Sequence, residues 1–145
     1  MSDFQNIVPS YINQATPEEK KAFFQVLVCL SGIDGKTDDE ELTYITKAAS
    51  EQNITDFQEI CNFKDEQEVI ENVKVIQNRK LALELLREMC MLAHVDNILS
   101  DQETLFIGKI GLALGVEIEK IEQISNWIID RIIWLEQAKI IFEED

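Results

Sequence analysis

Apolar residues along this chain recur three and four positions apart, the spacing that gathers them on one face of an α-helix. No stretch sustains the alternation of polar and apolar residues that a half-buried strand needs. The first clear element opens at Thr16. Thr16 as N-cap, Pro17 at the first helical position and Glu19 at N3 form a capping box, and Phe23, Val26, Leu27, Leu30 and Ile33 follow at helical spacing. Gly tolerates the left-handed conformation that ends helices, so this helix is expected to stop at Asp34-Gly35. A helix over about 39–51 then buries Leu42, Ile45 and Ala49. Thr55 is expected to cap a short helix carrying Phe57 and Ile60, and another runs over about 66–77 on Val69, Val73 and Ile76.

From Arg79 a long helix carries the stripe Ala82, Leu85, Leu86, Met89 and Leu92 and is expected to end at Asp96-Asn97. The next, over about 101–114, closes at Gly115. A last helix runs from about Glu117 to near Lys139, with Ile121, Ile124, Ile128 and Leu135 facing inward. Upstream of Thr16 a short helix is expected between Asp3 and about Gln14, kinked or started by Pro9. Only 5 Gly and 2 Pro in 145 residues agree with few turns and long elements. The expectation is one all-α domain over 1–145, with about seven or eight helices.

An internal repeat organises these helices. Position 34 set against position 96 pairs Asp34 with Asp96, and the same offset of 62 pairs Glu41 with Glu103, Asp39 with Asp101, Leu30 with Leu92, Ile45 with Ile107 and Ile54 with Val116. Each unit, about 17–54 and 79–116, is an apolar helix, an acidic bend and a second helix that starts with acids. The C-terminal helix, about 117–140, stands outside the repeat. Two helical hairpins related by a pseudo-twofold axis are the architecture this implies.

Charge narrows the partners. Lys and Arg number 13 against 28 Asp and Glu, a net charge of −15. A phosphate backbone or an anionic membrane surface would be repelled, while cations and basic protein surfaces would be attracted. Protein partners are the expectation, with a homo-oligomer as an option that composition does not decide. The most apolar run without charge, Ala22 to Ile33, falls short of the roughly 20 residues a membrane span needs. Three scattered cysteines and an N-terminus without the form of a signal peptide give a cytoplasmic expectation.

The bends hold the candidate chemistry. In Asp34-Gly35-Lys36-Thr37-Asp38-Asp39-Glu40-Glu41 and Asp96-Asn97-Ile98-Leu99-Ser100-Asp101-Gln102-Glu103, the spacing follows the second half of an EF-hand loop. Asp34, Asp38 and Glu41, and likewise Asp96, Ser100 and Glu103, could converge on a hard divalent cation such as calcium, magnesium or manganese. The first half of an EF-hand is missing, because Leu30, Gly32, Leu92 and His94 stand at its ligand positions. The competing role is local: Asp38 with Glu41 and Ser100 with Glu103 have the spacing of capping boxes. His94 in a last helical turn is favourable by itself. Trp127 and Trp134, seven apart on the last helix, read first as core and alternatively as a partner-binding stripe. Neither a nucleophile elbow nor a phosphate loop is present, and the expectation is a non-enzymatic protein.

The doubled pattern of apolar helix, Asp-Gly or Asp-Asn, and Glu seven residues after the Asp resembles the tellurite-resistance TerB family. Asp34, Gly35 and Glu41 match in the first copy, and Ala93, Asp96 and Glu103 in the second, within a span of about 22–116. Ser31, Asn97 and Thr37 depart from the family pattern. The resemblance implies a TerB-like helical fold, an acidic surface that binds divalent metal, and a place in a tellurite or stress-resistance assembly.

Overall fold

The computed structural model describes residues 10–35, 39–94 and 99–144. They form seven α-helices: α1 (Pro17–Ser31), α2 (Asp39–Glu51), α3 (Gln58–Cys61), α4 (Glu66–Asn72), α5 (Arg79–Ala93), α6 (Asp101–Ala113) and α7 (Ile118–Ile141), with 3-10 turns at Ile12–Gln14 and Val73–Val75. No strand occurs among the described residues. The helix expected to begin near Asp3 falls mostly outside them, and its described end is the single turn Ile12–Gln14.

α1 begins as its residues dictate. The Thr16 backbone N–H donates to Glu19 Oε1 at 2.8 Å, and the Glu19 N–H donates to Thr16 Oγ1 at 3.1 Å. Its end differs from expectation. The helix stops at Ser31, three residues before Asp34, where the Ser31 hydroxyl turns back to the Val28 carbonyl at 2.7 Å. The chain leaves through tighter i to i−3 bonds, Gly32 to Cys29, Ile33 to Leu30 and Gly35 to Gly32. Asp34 therefore lies in a turn beyond the helix. α5 likewise ends at Ala93 with His94 as its C-cap, and the Asp96-Asn97 stop lies outside the described residues. Two further expectations shift for local reasons. Phe57, not Thr55, precedes α3, with Asp56 Oδ1 accepting the Gln58 N–H at 3.0 Å. α4 tightens into the 3-10 turn at Val73, yet Val69, Val73 and Ile76 are buried as their spacing predicts.

The offset of 62 also relates the helix bounds. α5 begins and ends 62 positions after α1 (17 and 79, 31 and 93), and α6 does so after α2 (39 and 101, 51 and 113). The second helices also finish alike. Asn53 (φ 69°) donates to the Ser50 carbonyl and Ile54 to Ala49, while Gly115 (φ 73°) donates to Leu112 and Val116 to Gly111. Both are Schellman closures, which satisfy carbonyls that a helix end leaves open.

α1 lies at the centre, in contact with α2, α3, α4 and α5, and buries Phe23, Phe24, Val26, Leu27 and Leu30. α5 pairs with α6, so each hairpin packs on itself and the two meet through their first helices. The N-terminal segment is tied down by the buried Glu84 of α5, whose carboxylate accepts the Ser10 hydroxyl at 3.0 Å and the Tyr11 backbone N–H. α7 rests on α5 and α6. Gly111 brings it close, since a Cβ there would lie 2.2 Å from Ile121 Cδ1.

Candidate functional site

Two surfaces have a claim to function: the acidic bends and the outer face of α7. Of the six residues expected to hold a cation, Asp38 and Asp96 lie outside the described residues. Asp34 is exposed in its turn, followed by Gly35 at φ 81°, a conformation that favours glycine. Glu41 is half-buried at the third position of α2. Ser100 and Glu103 are brought together as a capping box. The Ser100 N–H donates to Glu103 Oε1 at 3.0 Å, and the Glu103 N–H donates to Ser100 Oγ at 3.1 Å. Among the described residues no group of three or more His, Cys, Asp or Glu side chains is gathered to hold a metal ion.

Close by, the His94 ring is buried with Nε2 3.1 Å from Ser125 Oγ, joining the end of α5 to α7. Burial holds its pKa below the usual imidazole value against the opposing pull of Glu103.

The three cysteine thiols are weak nucleophiles. Burial pushes the Cys29 thiol up to about 12 and the Cys90 thiol up to about 11, and raises Cys61 as well, which keeps all three protonated at neutral pH. Between α2 and α5 the Tyr44 hydroxyl donates to Glu88 Oε2 at 3.2 Å, and Arg87 Nη2 lies 3.5 Å from Glu88 Oε1. Burial, followed by the nearby Glu88 charge, pushes Tyr44 up to about 12, and burial raises Glu88 above its ordinary carboxylate value. This is an inter-helix brace of a kind that composition and spacing do not reveal.

α7 presents the most unusual surface. Its 24 residues include one buried side chain, Ile128, while Ile121, Ile124 and Ile132 pack partly against the core. The start is anchored by Arg79 Nη2, 2.6 Å from Glu117 Oε1. Beyond Ser125 the helix stays rich in apolar residues that are exposed to solvent. Trp127 is 44 % exposed, Trp134 62 %, Ile140 78 % and Phe142 72 %, with Ile129, Ile133 and Ile141 also open to solvent. The core role expected first for the two tryptophans is thus corrected. Both stay exposed, while Ile121, Ile124, Ile128 and Ile132 fill the seam against α5 and α6.

No protein-family model, curated protein or solved structure matches this chain. No helix among the described residues is long and apolar enough to cross a membrane, so the apolar C-terminal half of α7 is not a bilayer span.

Proposed function

We propose that this chain is a non-enzymatic acidic helical module that binds protein partners through the outer face of the C-terminal half of α7. The observation that carries this is the run of exposed large apolar side chains from Trp127 to Phe142 on one well-formed helix. Isolated surface apolar residues are ordinary. Two tryptophans, several isoleucines and a phenylalanine exposed along one helix have the composition of a contact patch. A photo-crosslinking residue placed at position 134, in the cells the chain comes from, should yield an adduct of defined mass that Ile133→Glu abolishes. The same residue at the exposed position 47 should yield none. Equal labelling at both positions, or none at 134, overturns the proposal.

A second reading is favoured by the matched helix bounds. We infer from them that the hairpins are related by a pseudo-twofold axis, which would make the bends at Asp34 and Asp96 equivalent and able to share a divalent cation with Glu41 and Glu103. The TerB resemblance implies a metal-binding acidic surface as well, together with a role in a tellurite or stress-resistance assembly. A ligand that binds only the folded state raises stability by about 2.7 kcal/mol at a hundredfold excess over its Kd. At fixed ionic strength, calcium, magnesium or manganese should raise the midpoint of thermal unfolding, and Asp34→Asn with Asp96→Asn should remove the rise. A midpoint indifferent to all three ions, or a rise that survives the double substitution, ends the cation reading.

A further inference from the structure

On the outside of α7 the exposed apolar residues form two stripes. Trp127, Trp134 and Ile141 follow one another at seven-residue intervals, and Ile129, Ile133 and Ile140 lie at i, i+4 and i+11. At 100° per residue these stripes run along opposite flanks, and Asn126, Asp130 and Gln137 form a polar line between them. From position 127 to 141 the surface extends about 21 Å, four helical turns. Two parallel apolar ridges of helical period with a polar seam between them are matched in shape by a second helix laid along α7, with anchors at i, i+3, i+4 and i+7.

Charge decides which helix. Residues 127–144 carry the acids Asp130, Glu136, Glu143 and Glu144 against Arg131 and Lys139. Arg131 is half-buried, and Lys139 already pairs with Glu136 at 3.1 Å. The whole chain carries −15. A second copy would bring the same excess of negative charge to the contact, whereas a basic helix would be drawn to it.

We infer that the occupant of this face is a protein segment that forms an amphipathic helix of about four turns, its apolar stripe flanked by Lys and Arg. This rests on the reading of α7 as a docking surface. The chain's 2 tryptophans both lie on the face, so their fluorescence reports its occupancy directly.

The probes are a Trp-free synthetic peptide of about five turns with leucines at helical spacing and Lys and Arg on its flanks, and a twin with Glu at every basic position. The basic peptide should shift the tryptophan emission to the blue and bind the full chain at least tenfold more tightly than the twin. Asp130→Lys with Glu136→Lys should close that gap, and Ile133→Glu should abolish binding while the helical circular dichroism is retained. If the twin binds as tightly as the basic peptide, the basic partner is overturned while the docking face stands. If neither binds and sedimentation shows a dimer that Ile133→Glu dissociates, the occupant is a second copy and the basic partner is again overturned. If neither binds and the chain is a monomer, the inference and the docking reading fall together.

Discussion

His94 shows how one residue couples helix ends to solution conditions. Its ring is buried at the C-cap of α5, and burial lowers its folded pKa below the ordinary imidazole value of 6.5. The neutral form is therefore the one the fold prefers. The stability tied to that preference is present in full above 6.5 and is lost as the pH falls from there through the lowered folded value. Glu103 opposes the shift without reversing its direction. In urea titrations from about pH 7.5 to 5.5, the chain should lose stability that His94→Gln, which cannot charge, does not lose. Parallel profiles for the two proteins would show that the ring takes up its proton as readily folded as unfolded.

Among elements, the contact between α6 and α7 depends on a missing side chain. Gly111 is buried against Ile121 and Leu86, and a Cβ there would meet Ile121 Cδ1 at 2.2 Å, far inside contact distance. Gly108, three residues earlier in the same helix, has open space at that position. Alanine favours a helix interior by about 1 kcal/mol over glycine, and overpacking costs about 1–3 kcal/mol. Gly108→Ala should therefore raise the unfolding free energy measured in urea by about 0.5–1 kcal/mol. Gly111→Ala should lower it by about 1–2 kcal/mol, because Ile121 is held in the seam that seats α7. A stabilised Gly111→Ala would mean that Ile121 moves aside freely and that the close approach does not depend on the glycine.

At the same scale, local signals were legible where they act over a few residues. The Thr16 and Ser100 capping boxes, Gly115 at positive φ and the offset of 62 could all be read before any packing was known. Asn53 was not, although it repeats the turn at Gly115 one unit earlier. The hydrogen-bond pattern that makes the two ends alike belongs to the backbone, and Asn is a weaker marker of it than Gly. Ser31 and Gly32 likewise end α1 before the more conspicuous Asp34-Gly35, because a hydroxyl returned to the Val28 carbonyl competes locally with helix continuation.

For the whole molecule, charge opposes compaction. With 28 acidic against 13 basic residues, repulsion between like charges weakens the folded state relative to the expanded chain. Raising NaCl from about 0.05 to 0.5 M shortens the screening length to a few ångströms and should raise the midpoint of thermal unfolding. A fall would show that ion pairs such as Lys109 with Glu66, 3.3 Å apart, contribute more than the net repulsion removes. The same salt should weaken a basic helix on α7 while leaving its apolar contacts in place.

Helical content, the offset between helix bounds and much of the core follow from sequence alone, because periodicity and capping are set by residues within a turn or two of one another. The exposed face of α7 does not. Apolar residues nearly surround that helix, and a pattern of that kind marks every face as suitable for burial without saying how many neighbours are present. Only the packing of α5 and α6 along the Ile121–Ile124–Ile128–Ile132 seam determined which side chains are covered, and it left Trp127 and Trp134 facing outward.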